Sequence, residues 1–334
     1  MDHLFNHPGI LAGFGVLIFI MLLLDLGVFN KNSHEVSNKE ALIWSVVWIS
    51  LSMVFSGVIY YLLDHPQGTT DNFSRFQAAY WIEKALSVDN LFVFILVFKF
   101  FQIPKRNQHK VLFWGVIGAL VFRAIFIFAG VELIKLTYVN APFLGLDSNG
   151  DVREINVVLT IFGFFLILAG IKSWGSQDEE EEKDLSSNFA VKLVHKFFKV
   201  SPDFDGDKFF TVQNGVKMAT PLFVAIAVIE LTDLVFAVDS IPAIFAIAPD
   251  DPFILYTSNI FAILGLRSLY FLLANSMDMF SKLHYGLAVI LSFIGIKMLI
   301  MPFYHFESSI SLAIIGGVLV VSVVASLISN TKKS

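Results

Sequence analysis

Residues 81–94 read Trp81-Ile-Glu83-Lys84-Ala-Leu-Ser-Val-Asp89-Asn90-Leu-Phe-Val-Phe94, an apolar stretch carrying two acids six residues apart. The same pattern returns at Glu230-Leu-Thr-Asp233-Leu-Val-Phe-Ala-Val-Asp239-Ser240-Ile-Pro242. Glu83–Asp89 and Asp233–Asp239 both fit acid-x-x-x-x-Val-Asp-polar-aliphatic without a gap. The following segments continue the match. Phe122-Arg123-Ala-Ile-Phe126 corresponds to Leu266-Arg267-Ser-Leu-Tyr270, and Gly170-Ile-Lys172 to Gly295-Ile-Lys297. Three successive segments therefore repeat in order.

Composition says what solvent these segments occupy. The 334 residues are 56% hydrophobic and 15% charged, with a mean hydropathy of +0.73, whereas soluble chains average about 25% charged. An apolar run of about 20 residues spans a bilayer as a helix. Nine such segments are predicted, at 9–29, 41–63, 77–101, 111–136, 155–174, 221–247, 253–275, 283–301 and 309–329. The expected fold is an all-α polytopic membrane protein.

Lysine and arginine stay on the cytoplasmic side. Lys31, Lys39, Lys105, Arg106, Lys110, seven lysines from Lys172 to Lys217, Lys282, Lys332 and Lys333 fall in alternate loops; the other loops hold little beyond Arg75 and Arg153. This places the N-terminus outside and the C-terminus inside, in a multi-pass protein of the cell (inner) membrane. The first segment lacks a preceding basic region, so it reads as a retained helix. The third and sixth segments then run in opposite directions. That makes the copies an inverted 3+3 repeat, an arrangement that in transporters puts substrate sites near the midplane. The expected units are two N-terminal helices (1–75), repeat 1 (76–174), a cytoplasmic segment (175–219), repeat 2 (220–301) and a C-terminal helix with its tail (302–334).

Charges inside a bilayer cost at least about 2.5–3.5 kcal/mol each. Glu83, Asp89, Glu230, Asp233 and Asp239 face only Lys84, Arg123 and Arg267 as charge-balancing cations, which leaves two negative charges. Internal ion pairing alone is one reading. A bound divalent cation, or protons in its absence, is the other. Carboxylates, with Asn90 and Ser240 as neutral oxygens and no cysteine, favour a hard cation such as Mn²⁺, Mg²⁺ or Ca²⁺. The expected metal set is Glu83, Asp89, Asn90, Glu230, Asp233, Asp239 and Ser240. Six residues on a straight helix separate two carboxylates by about 120°. Either the helix breaks there, or one acid binds metal while its neighbour carries protons or pairs with arginine. Pro242 leaves the Val238 carbonyl without its helical donor.

Other features carry less. In the cytoplasmic segment, Asp178–Glu182 reads as a solvated linker. Residues 189–200 place Phe189, Leu193, Phe197 and Val200 opposite Lys192, Lys196 and Lys199, which suits a helix lying on the membrane surface. Asp205-Gly206 and Asn214-Gly215 are hairpin-turn signals. Asp203, Asp205 and Asp207 do not form an EF-hand, because Gly206 sits at the fourth position and no Glu closes the loop. Asp25 is a helix-end charge or part of a cytoplasmic exit, Glu132 pairs with Lys135, and His305 and Glu307 belong to a surface loop. No enzyme is expected, since the segments hold no Ser–His or paired-His zinc arrangement. No resident cofactor and no nucleic-acid partner are expected either. The expected partners are a transported cation, the bilayer, and proteins at 175–219.

Together with Leu24-Asp-Leu-Gly27 and Asp203-Phe-Asp-Gly-Asp207, the two acidic stretches resemble the TerC family, most of all its Alx-type branch, itself similar to the LysE-type exporters. The resemblance implies export of manganese, partly to metallate exported proteins. The family is named for tellurium resistance, but an acidic site repels an anion such as tellurite. The alternatives are a membrane scaffold or assembly factor acting through 175–219, and an exporter of Ca²⁺ or basic amino acids.

Overall fold

The computed structural model describes residues 13–18, 20–21, 37–146, 150, 152–175, 192, 194, 196–213, 215–249, 251–274, 283–304 and 306–331; for Asp89, Asn90 and Asp239 it describes the backbone alone. Asp25, Asp178–Glu182, Phe189, Leu193 and His305 lie outside the described residues.

Helix α1 (Asn38–Ile59) starts where Ser37 Oγ accepts the Glu40 amide at 3.2 Å, which satisfies one of the amides a helix start leaves unpaired. It runs on through a π-turn (Tyr60–Asp64) and a 3-10 turn (His65–Gln67) to Gly68, whose φ of 67° suits glycine. The buried Asp64 carboxylate then accepts the Asn72 and Phe73 amides at 3.1 and 2.8 Å. It thereby caps helix α2 (Asp71–Phe100), whose 30 residues extend about 45 Å.

The chain continues through α3 (Lys105–Leu136), hairpin β1–β2 (Tyr138–Asn140 and Glu154–Asn156) and α4 (Val157–Gly175). Hairpin β3–β4 (Phe210–Gln213 and Val216–Ala219), α5 (Pro221–Phe245), α6 (Pro252–Leu264), α7 (Leu266–Ala274), α8 (Leu283–Ile300) and α9 (Ser308–Thr331) complete it. The protein is mostly helical. Among the described residues five helical stretches are long and apolar enough to cross a membrane: Asn38–Gln67, Lys105–Leu136, Val157–Trp174, Pro252–Ala274 and Ser308–Ser329.

Apart from residues at their ends, such as Ile155 and Asn156 of β2, the nine predicted segments are helical where described, with two corrections to their shape. Helices α2 and α3 begin at Asp71 and Lys105, earlier than their apolar cores, because polar residues extend them beyond the membrane-matched stretch. The seventh segment is broken at Gly265 into α6 and α7.

Helix α2 is central and packs on α1, α5, α6, α7, α8 and α9. The most extensive pairing is α4 with α8. It depends on glycines: a Cβ at Gly170 would lie 2.7 Å from the Ala288 carbonyl, and one at Gly295 would lie 2.6 Å from the Gly163 carbonyl. In a membrane such small residues let backbones approach where no hydrophobic effect drives helices together. The matched Gly-Ile-Lys ends thus have a packing cause.

Residues 175–219 meet their expectations only in part. Gly215, with φ 76°, lies in the turn that joins β3 to β4, and Asn214 lies outside the described residues. Asp205-Gly206 joins no strands; Asn107 and Lys110 of α3 hold that loop instead, donating to the Gly206 carbonyl at 3.0 Å and the Asp207 carbonyl at 2.7 Å. In the 189–200 stretch the described residues are helical as far as Phe197, which is 69% exposed while Val194 is buried, and Val200 bridges to Ala219 beyond the helix.

Candidate functional site

Glu83 comes from the middle of α2, Asp233 from the middle of α5 and Arg123 from α3. The sequence match implied that the first two are equivalent. The structure brings both onto the one guanidinium. Arg123 Nη2 donates to Asp233 Oδ1 at 3.1 Å, Nε reaches Asp233 Oδ2 at 3.4 Å, and Nη1 is bonded to Glu83 Oε1. Glu83 and Arg123 are fully buried and Asp233 is 5% exposed. Packing of α2 against α5 and of α3 against α5 makes the meeting possible.

One cation between two carboxylates leaves a formal charge of −1 if all three ionise. Lys84, buried beside Glu83, can offset it. Its ammonium donates to the Ala262 carbonyl at 3.2 Å and sits over Gly265. That is the break between α6 and α7, where irregular backbone presents a carbonyl to a side chain. No break occurs at the acidic motifs. Helix α2 runs unbroken through 83–89, and α5 continues past Pro242 with the Ala246 amide on the Pro242 carbonyl at 3.2 Å. Of the two alternatives for the six-residue spacing, the broken helix is excluded.

Glu230 lies one turn before Asp233. Its carboxylate occupies the space a Cβ at Gly118 of α3 would need, so Gly118 is what lets α3 approach there. Several buried polar atoms have no hydrogen-bond partner among the described residues: Glu83 Oε2, Glu230 Oε2, Ser240 Oγ, and both the oxygen and nitrogen of the Asn259 amide. Buried polar atoms left alone cost about 1–3 kcal/mol each, so such a group marks a place for water or an ion. Asn259, on α6, was missed by the sequence reading. Its signal was available: a polar amide amid the apolar run of 252–264.

The side chains of Asp89, Asn90 and Asp239 lie outside the described residues. Arg267 is half-buried on α7, and the triad is built without it. Among the described residues no three His, Cys, Asp or Glu are grouped as a metal-holding set. Arg123 occupies the position between Glu83 and Asp233 that a cation shared by them would take. Glu132 and Lys135 pair at 2.7 Å on the surface, as expected.

Outside the spans, hydrogen bonds from Lys208 and then Thr211 hold the Asp205 carboxyl below the ordinary carboxylate value. The Lys110 ammonium does the same for Asp207, at 2.8 Å.

No solved structure matches the chain. It is 43% identical over 323 residues to an uncharacterized membrane protein of Myxococcus xanthus, covering 97% of this chain and 93% of that one. It is 40% identical over 319 residues to the Escherichia coli K12 protein named "Putative membrane-bound redox modulator Alx", covering 94% and 93%. A protein of that name from Photorhabdus laumondii is 38% identical over 331 residues, covering 98% and 97%. The model of the integral membrane protein TerC family matches residues 68–334. Built on a helical membrane scaffold with acids buried at its centre, the chain belongs to the TerC family of integral membrane proteins.

Proposed function

We propose that the protein is a secondary transporter that exports a divalent metal cation, foremost Mn²⁺, through a buried acidic site between two inverted repeats. The observation that carries this reading is the convergence of Glu83 and Asp233 on Arg123. Equivalent acids from two matched helices share one buried place, which packing alone does not require, since apolar residues of similar volume would often be as stable.

Helix pairing supports the repeat. Exchanging α2 with α5, α3 with α6–α7 and α4 with α8 converts the α2–α6 contact into α5–α3 and leaves α2–α5 and α4–α8 unchanged, and all four contacts are made. The glycine contacts obey the same exchange. Gly170 meets Ala288 and Ser292; shifting each number by the 125 residues between the matched glycines gives Gly295 meeting Gly163 and Ile167, which it does. With the N-terminus outside, nine spans follow.

In this reading Glu83, Asp89, Asp233 and Asp239 form the site, one acid of each helix taking the metal while its neighbour carries protons or pairs with Arg123, aided by Asn90, Ser240 and Glu230. Arg123 stands in for the cation when the metal is gone, and Arg267 and Lys84 balance the remaining charge. Release on the far side is coupled to protons returning on the freed carboxylates. The redox role in the relatives' name cannot rest on thiols of this chain, which has no cysteine.

Uptake of labelled Mn²⁺, Ca²⁺ and lysine into inside-out vesicles tests the proposal. Mn²⁺ accumulation that outpaces the other two, and that collapses with the proton gradient, is expected. Lysine uptake without Mn²⁺ uptake would overturn it.

A further inference from the structure

A second polar site lies away from the acidic motifs. A cavity of about 500 Å³ opens between the start of α2, the ends of α3, α5 and α8, and the segment before α9. Asp71, Arg75, Tyr138, Lys297, Tyr304 and Ser308 line it. Its carboxylate is already engaged: Asp71 holds Arg75 at 2.8 Å through one oxygen and accepts the Ser308 hydroxyl at 2.7 Å through the other. Lys297 is only 6% exposed, and its ammonium donates to the Ser311 hydroxyl at 3.0 Å.

A hydroxyl satisfies one N–H of an ammonium and none of its charge. Burying a charge without a counter-charge is costly. Arg75 repels Lys297 and Asp71 attracts it, but the Asp71 carboxylate is shared with Arg75 and Ser308, so Lys297 has no counter-charge of its own. The one further acid on the lining, Glu307, is solvent-exposed and accepts the Ser309 hydroxyl at 3.3 Å. The wall therefore presents a buried cation, a guanidinium and two tyrosines bearing hydroxyl donors. That set matches an anion with several acceptor oxygens and disfavours a metal cation.

We propose that this cavity binds a small oxyanion, of the carboxylate or phosphate class, with Lys297 supplying the charge and Arg75, Tyr138 and Tyr304 the orientation. The loop charges place it on the outer face of the membrane. The inference is independent of cation export, because no residue of the acidic motifs takes part.

Titration calorimetry on the purified full-length protein in detergent, at low ionic strength, tests it with inorganic phosphate and acetate as probes. Saturable binding of at least one is expected, and which one identifies the class. Lys297→Met should weaken it at least tenfold. Glu307→Gln, on the surface and safe for folding, should tighten it severalfold by removing a negative charge at the rim. No saturable heat with either probe, or Lys297→Met binding as wild type does, or Glu307→Gln weakening the binding, would overturn the proposal.

Discussion

Two helix pairs, α4–α8 and α2–α5, map onto themselves when the matched sequence segments are exchanged, and they are built in opposite ways. The α4–α8 seam brings backbones together at Gly163, Gly170 and Gly295, with carbonyls where side chains would be. The α2–α5 seam buries Glu83 and Asp233 around Arg123 and leaves Glu83 Oε2, Glu230 Oε2 and Ser240 Oγ without partners among the described residues. One seam is dense and built on backbone contacts at glycines. The other is charged and incompletely satisfied. Close packing at the first can hold these helices together, which leaves the second free to carry chemistry that does not stabilise the fold. Substitutions can break this contrast or sharpen it.

The largest effect is expected at Arg123. Arg123→Ala strands two buried carboxylates, and breaking a buried pair costs about 3–5 kcal/mol. Thermal unfolding in detergent should show a steep loss, largely recovered when Glu83→Gln and Asp233→Asn accompany it. Wild-type stability of the single variant would break the comparison.

Next comes the packed seam. Gly295→Val places a branched side chain against the Gly163 carbonyl and should cost about 1–3 kcal/mol, read as a lower unfolding temperature. Transport per folded molecule should survive, which it would not if α4–α8 formed the site.

Gly118→Ala reaches the charged seam more gently. The added methyl meets the end of the flexible Glu230 side chain, which can move aside. A stability change within about 1 kcal/mol and a severalfold change in cation transport are expected. Equal effects on both would mean that Glu230 serves packing alone.

The smallest effect lies outside the membrane. Lys110 lowers the Asp207 pKa, so the contribution of this pair is present above the unfolded carboxylate value and is lost as pH falls through the lower folded value, below about pH 4. Both partners are solvent-exposed, so Lys110→Gln should cost at most about 1 kcal/mol at neutral pH. Proteolysis of the 203–208 loop measures it.

Much of this was legible in sequence, for local reasons. The apolar segments, the turn at Gly215 and the equivalence of Glu83 with Asp233 depend on periodicity, turn chemistry or self-similarity. What escaped depends on tertiary approach. The ammonium of Lys84 finds the Ala262 carbonyl only because the seventh segment breaks at Gly265 against α2. Asp205-Gly206 carries a strong turn signal, yet its loop is fixed by Asn107 and Lys110, about 100 residues away in the chain. Asn259 looked like one polar residue in an apolar run until its amide proved buried and unpartnered.

The central claim is that the acids of α2 and α5 serve one cation site. Labelled Mn²⁺ uptake into inside-out vesicles, comparing wild type with Asp89→Asn and with Asp239→Asn at matched expression, tests it most directly. At least a tenfold loss of uptake in each variant, with unfolding temperatures close to wild type, is the result the account predicts. Wild-type uptake in both variants would contradict it.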